Sequence, residues 1–539
     1  MLFVRECAAP FAFANALPLL RQALLPQAGA MSTSMPRDAR TPHRAYTGEL
    51  APTRATLASL TGELQQCISG RVVFPNDPGY AALVEIDNGR VQLQPRFVVL
   101  VDSLADVVAT LHFARRHDLR LTVKGGGHSA AGYSLNGGGI VIDFSLMKRM
   151  TLHGDTLTVQ AGARWIDIYR YLQANGQGLI PIGGGCAPVG VAGFLQGGGY
   201  SFASRSYGLS IDNLLAVTLV TADGAVHSLS PHSTSAEDVD LFWALRGGGG
   251  GNFGIVVDMT LQLHQPRAPK MLMTAIRFPA AQAQDVLGFY NEWVETLPDA
   301  MACYGIWGAF PDPADATRKV PAVGLTCVYN GPAAEGVELL QPMLARDPMY
   351  VQMNRMTLPQ FEEMVGKSTL VDGRYAYIRS GLVPPRGMTA DFVRTADRFM
   401  STALTPDTFL VWTHAGGKID TVPKDATAFV HRGARFMPEV KAIWPRGDLA
   451  GTRPNVEWAF DFFEALRPHF TGAYVNYIDP LQPDWPARYY GDHYARLQAI
   501  KQRCDPDGVF RFQQSVGSDF RPDTSRPLDL APLNRTFAD

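Results

Sequence analysis

In the first half of the chain, apolar residues come in short bursts separated by glycine and polar turns; in the middle they alternate. Helical spacing predicts helices over Leu57–Ser69, Leu104–His117 (capped by Ser103 or Asp102) and Trp165–Asn175, the last ending near Gly176. Runs of Val, Ile and Thr bounded by turn residues predict strands at Pro95–Val101, Leu121–Val123, Ile140–Phe144, Thr151–His153, Thr156–Gln160, Leu214–Thr221 and Ile255–Leu263, with a hairpin turn at Asp223–Gly224. Phe242–Arg246 reads as the end of a helix. From Met271 to Tyr474 alternation predicts strands such as Leu272–Phe278, Val323–Val328 and Thr408–Thr413, interspersed with helices over Gln282–Thr296 and Thr389–Thr402. Gly472–Asp479 reads as a short strand, with Tyr474 and Asn476 on one face and Tyr477 on the other. Tyr490–Cys504 is helical. The class is α+β, with an antiparallel sheet in the second region.

With 539 residues the chain is long enough for two or three domains. Hydrophobic residues at 46% against 18% charged describe a globular chain. A formal net charge of −2 carries no basic excess, which argues against a nucleic-acid partner. No apolar run is long enough to span a bilayer, so no membrane partner is expected. The six cysteines form no C-x-x-C pair and no disulfide framework; no metal site is expected. At the N-terminus, apolar Phe11–Leu25 followed by Ala28–Gly29–Ala30 has the outline of a secretory signal. Glu6, Pro18 and Arg21 interrupt that outline, and Met31 or Met35 would start a cytoplasmic chain, which is slightly favoured.

Three glycine-rich stretches carry the candidate chemistry. Gly125–Ser129, GGGHS, lies between two predicted strands, and successive N–H groups in such a turn bind anions. It is neither a P-loop nor a dinucleotide-binding fingerprint, because no lysine-ended motif and no following helix are present. The reading is a strand–loop–strand cradle for a phosphorylated ligand, touched by His128; the plain alternative is a glycine-rich hairpin with a surface histidine. Pro181–Gly208 sets Cys186 among glycines rather than aliphatics, which suits ligand contact better than a buried structural thiol. Gly247–Gly251 cannot be helix interior, so this backbone turns or lies against something flat.

GGGHSAAG, PIGGGCAPVGVAGFLQGGGYS, RSYGLSIDNLLAVTLVTADG, FWALRGGGGGNFGIV, AYVNYID and YYGDHYARLQAIKQRCDPDGVFRFQQS together resemble the berberine bridge enzyme-like family of the vanillyl-alcohol oxidase flavoprotein superfamily. The resemblance runs from about Cys67 to Val516. It implies an FAD-binding domain in two segments, 50–268 and 481–539 (the latter including a tail), and a substrate domain over 269–480 whose antiparallel sheet covers the flavin. Residues 1–49 would be an extension, disordered or targeting. It implies FAD held by two covalent bonds, His128 to the 8α carbon and Cys186 to carbon 6. The implied cofactor contacts are Lys124, Gly125, Gly126, Gly127, Ser129, Gly132, Gly185, Val189, Gly190, Gly193, Gly197, Gly199, Asn213, Val220 and Asn476. Ser201 replaces a glycine frequent in relatives, and Ala192–Gly193–Phe194 replaces a common Gly-Gly-His.

The resemblance further implies hydride transfer from a substrate carbon to the flavin while a base takes a proton, with O2 reduced to H2O2. Tyr477 matches the family's catalytic Tyr or His; with an ordinary pKa of about 10, a tyrosine base needs a nearby cation or donor. Glu439, in HRGARFMPEV, matches the base of alkaloid-cyclising members across a gap. Trp412 and His414 are candidates to line the substrate cavity. Val189 matches a gate where valine accompanies oxygen reactivity. The expected partner is a small molecule: a sugar, an alcohol or a secondary metabolite, oxidised at a hydroxyl. Oxidative cyclisation or dehydrogenation of an alkaloid or polyketide is the alternative.

Overall fold

The computed structural model describes residues 54–522 apart from 316, 367–370 and 372. The predicted extension 1–49, its targeting outline and the tail past 522 lie outside the described residues. By its contacts the chain from Arg54 onward forms one unit.

The first sheet has four strands in the order Arg71–Val73, Phe97–Leu100, Ile140–Asp143, Leu121–Lys124. Its first pair is antiparallel and the others are parallel. Helix Leu104–Arg116 starts where predicted: Ser103 is its N-cap and accepts from the Asp106 N–H at 3.2 Å. The Asp106 carboxylate in turn accepts from the N–H groups of Ser69, Gly70 and Asp102, tying the helix to the strand edge.

The parallel pairing of Leu121–Lys124 with Ile140–Asp143 rules out the hairpin alternative. Parallel neighbours need a crossing connection. The glycine loop is that connection, without a helix, and it carries His128 back across the strand ends. Lys124 and Asp143 face each other in register and their side chains pair at 2.8 Å, both buried.

A five-stranded antiparallel sheet follows, in the order Met150–His153, Thr156–Gln160, Ile255–Gln262, Leu214–Val220, Val226–Leu229. These two sheets share one core, which also takes in Trp485, Tyr490, Leu497, Ile500 and Val516 from the C-terminal segment.

The third sheet has seven antiparallel strands: Tyr350–Met356, Met271–Pro279, Lys319–Tyr329, Met301–Pro311, Phe409–His414, Phe436–Trp444, Tyr375–Ser380. Helices Ala283–Trp293, Ala390–Met400 and Leu449–Leu466 bury Leu287, Tyr290, Phe392 and Phe462 against Ile276, Leu325 and Val440. On the opposite face helix Leu358–Gly366 packs Leu358 and Phe361 on Met271, Met273 and Val328, and the part of that face around Glu439 is left open for a ligand. The α+β class with a two-segment domain and an inserted antiparallel sheet stands as expected.

The predicted strand at Gly472–Asp479 is absent. Gly472 makes one bridge to Leu382, and Val475–Tyr477 is a turn of 3₁₀ helix. The Tyr474 and Tyr477 rings therefore approach each other, with centroids at 5.6 Å, instead of pointing to opposite faces. Local alternation suggested extended backbone; the Tyr474 hydroxyl overrode it by anchoring to the Gly199 N–H at 2.7 Å and to Asn476 at 2.8 Å.

Candidate active site

One cavity of ≈ 390 Å³ lies where the glycine loops, the free face of the seven-stranded sheet and the C-terminal segment meet. Its walls bring together Gly125, Gly126, Gly127, His128, Ser129, Gly185, Cys186, Val189, Gly190, Gly193, Glu439, Asn476 and Tyr477 from the sequence-derived set.

The two loops that carry His128 and Cys186 touch backbone to backbone. A Cβ on Gly126 would sit 2.3 Å from the Gly190 nitrogen, and a Cβ on Gly190 would sit 2.3 Å from the Gly126 nitrogen. Only glycine at both positions allows this approach. The far wall includes Gly249 and Gly251, at φ of +83° and +76°, in conformations that other residues rarely adopt. A flat ring system and a phosphate chain need such bare backbone, so the residues fit FAD.

Other expected contacts stand off the cavity wall. Lys124 is held by Asp143. Gly132, at φ +82°, packs on Val91. Gly197 backs onto Asn476, where a Cβ would meet Oδ1 at 2.0 Å, and Gly199 holds Tyr474. Asn213 spends its amide on the Tyr207 and Leu209 carbonyls and on His264. Val220 is buried in the first core. These residues shape the site from behind. Trp412 likewise is turned into the second core against Tyr290, whereas His414 does line the cavity.

The titratable groups gather at the sheet face. Glu439 and Lys441, two apart on strand Phe436–Trp444, pair at 2.9 Å with Glu439 almost fully buried. The contact lies outside hydrogen-bonding angles for Oε2, so it is an ion pair. Lys441 Nζ lies 5.6 Å from the centre of the Tyr477 ring. Burial raises the Tyr477 phenol well above its ordinary value, and the Glu439 charge adds to the rise. The lowering that a neighbouring cation would bring is thus outweighed. For Lys441, burial pulls the pKa down, but Glu439 and then Tyr304 more than reverse it, so the ammonium is firmly charged. Tyr304, a second phenol on the cavity wall, is raised mainly by burial.

Around the attachment candidates, burial pushes the Cys186 thiol up to about 12, and Asp87 adds to this. Burial lowers His128, against the opposing pull of Asp87, whose carboxylate is 3.5 Å from Nδ1. Burial followed by Arg205 and Arg435 pushes His414 well below the ordinary histidine value, keeping it neutral.

The FAD binding domain family matches residues 95–230, and the berberine and berberine-like family matches residues 473–517. The FAD-linked oxidoreductase YvdP of Bacillus subtilis, itself uncharacterised, is 30% identical over 457 residues, covering 83% of this chain and 98% of YvdP. The chain is a berberine bridge enzyme-like FAD-linked oxidoreductase. This oxidoreductase is also 30% identical over 469 residues to the VAO-type flavoprotein oxidase VAO615 of Thermothelomyces thermophilus, covering 79% of this chain and 76% of that one. Its fold matches Physcomitrella patens BBE-like 1 with a TM-score of 0.76 at 24% identity, over 85% of this chain and 98% of that one.

Sequence reasoning left three parts of the oxidoreductase's site unnamed, Asp87, Tyr304 and Lys441, whereas the Gly249–Gly251 wall falls in the glycine run expected to turn or lie against something flat. Lys441 had a signal, since it lies two residues past Glu439 and period-two alternation puts both on one face. Tyr304 and Asp87 belong to no motif; only tertiary contact brings them in.

Proposed function

We propose that the protein is an oxidase with FAD attached at both His128 and Cys186, oxidising a hydroxyl of a sugar, alcohol or secondary metabolite. The observation that carries this is the convergence of His128, Cys186, Tyr477, Glu439 and Lys441 on one cavity. Bound FAD supplies the hydride acceptor and passes the electrons to O2, giving H2O2.

The chain's own groups move the proton. A substrate hydroxyl beside Tyr477 gives its proton to the phenolic oxygen as the phenolic proton passes to Glu439. Lys441 pairs with Glu439 and attracts negative charge that builds on the Tyr477 ring. In this arrangement Tyr477 is the residue at the substrate, and Glu439 makes it basic. Phe202, Ile378 and Met437 exclude water around these groups. Val189, on the cavity wall, leaves space beside the ring for O2. A second reading gives Glu439 the substrate proton directly, as oxidative cyclisation requires; its own place on the cavity wall favours this.

The test is acid precipitation of the purified protein, followed by peptide mass analysis and a peroxide screen over sugars, alcohols and phenolic metabolites. Flavin that stays with the pellet on His128 and Cys186 peptides, with peroxide from a hydroxyl donor, is the expected result. Flavin released into the supernatant overturns the two-bond attachment. Activity that survives Tyr477→Phe but not Glu439→Gln selects the second reading.

A further inference from the structure

Asp87 belongs to none of the glycine-rich motifs, yet it lines the same cavity as both candidate attachment residues. Its N–H donates to the Gly127 carbonyl at 3.1 Å, and its carbonyl accepts from Gly373 at 2.9 Å. The next residue, Asn88, donates to the carbonyls of Ala130 at 2.8 Å and Ala376 at 3.1 Å. Asp87 is therefore clamped between the loop that carries His128 and the edge strand Tyr375–Ser380. Its carboxylate approaches His128 Nδ1 to 3.5 Å, an electrostatic contact slightly longer than a hydrogen bond, with both side chains mostly buried.

We propose that Asp87 is the positioning residue for flavin attachment: it orients the His128 ring and receives the proton that His128, and then Cys186, gives up on bonding to the flavin. The proposal rests on the two-bond attachment proposed above. A histidine bonds through a neutral ring nitrogen, and a carboxylate beside the ring fixes which nitrogen carries the proton. Cys186 is a thiol throughout the neutral range, so a thiolate forms only if an acceptor is near. Among the charges that act on His128 and on Cys186, that of Asp87 is the largest in both cases. Lys441 and Arg164 act on His128 in the opposite sense, and Lys441 on Cys186, so neither serves as an acceptor; Glu439 and Glu362 act on Cys186 in the same sense as Asp87, but less strongly.

The balance is the same at each link. One N–H (or S–H) bond and one flavin C–H bond break, and one N–C (or S–C) bond forms. The two hydrogens and the electron pair end on the flavin, which is reduced, the side-chain proton travelling by way of Asp87. O2 then reoxidises the ring and leaves as H2O2.

The experiment compares the wild type with Asp87→Asn and Asp87→Glu. It measures the fraction of flavin released by acid, the flavin on the His128 and Cys186 peptides, and the melting temperature of the loaded protein. We expect the wild type to keep its flavin. Asp87→Asn should bind FAD, melt near the wild type and release at least ten times more flavin on acid treatment. Asp87→Glu, which retains an acceptor, should keep both links. Incubating Asp87→Asn with FAD and O2 at rising pH should restore linkage, because deprotonation then no longer needs the carboxylate; a purely structural role would not respond this way. Asp87→Asn with wild-type linkage overturns the proposal, as does a folded Asp87→Glu that releases flavin as freely as Asp87→Asn. A wild type that itself releases its flavin overturns the attachment reading, which is a separate failure.

Discussion

Tyr477 is a partly buried phenol, and on the proposed path its proton goes to Glu439. Replacing it with phenylalanine keeps the ring packed on Tyr474 and removes only the oxygen. Tyr477→Phe should slow anaerobic flavin reduction by about 10²–10⁴-fold, with the flavin spectrum unchanged, as stopped-flow mixing will read. Glu439→Gln should leave a rate that climbs with pH. The phenolate then becomes the only accepting form, and with the Glu439 charge gone its pKa moves down toward the ordinary tyrosine range. A pH profile parallel to that of the wild type would remove Glu439 from the proton path. Tyr477 and Glu439 were both legible in the sequence through motif resemblance, but their partnership was not. It depends on a 3₁₀ turn and a strand from distant parts of the chain meeting inside a cavity.

That turn is held by the elements around it. Arg379, fully buried on strand Tyr375–Ser380, pairs with Asp479 at 2.7 Å and Glu464 at 2.8 Å. Asp479 lies just past Tyr477 and also accepts from the Tyr377 hydroxyl at 3.0 Å. Removing one partner leaves buried charge uncompensated, so Arg379→Met should cost about 3–5 kcal/mol in urea unfolding, with loss of activity through the displaced Tyr477. His431 makes a second such tie, its Nε2 lying 3.0 Å from the Tyr489 carbonyl. Burial depresses it from 6.5 to about 4. Between those values the unfolded chain holds a proton that the folded chain does not, so stability is intact above 6.5 and falls as pH drops toward 4. The loss should reach up to about 3 kcal/mol, and His431→Gln should flatten that share of the melting-temperature profile. The helix boundaries were readable because caps and periodicity are local, as at Ser103 and Gly176. The Gly472–Asp479 segment misled because its side chains find their partners, the Gly199 N–H and the Phe194 carbonyl, far away in sequence.

Across the whole molecule, the first core is completed only when the chain returns after the seven-stranded sheet. Trp485, Tyr490 and Leu497 are fully buried there, and Lys501 bridges Asp505, the Asn252 carbonyl and the Phe510 carbonyl, each at 2.6 Å. A chain ending at residue 480 should therefore give insoluble or colourless protein, judged by soluble yield and flavin absorbance. A soluble yellow product would show that the first segment closes its core alone.

The chain's own order of residues was enough to give several helices, many of the strands, the glycine loops and, through their motifs, the FAD-linked family. Each of these is written in contiguous residues whose conformational preferences act locally. Folding in three dimensions decided the rest: the parallel pairing that carries the His128 loop across the strand ends, the Gly126–Gly190 contact, and the meeting of Tyr477, Glu439, Lys441 and Asp87 around one cavity. These depend on through-space charge, burial and backbone clearance between segments far apart in the chain, which no local pattern encodes.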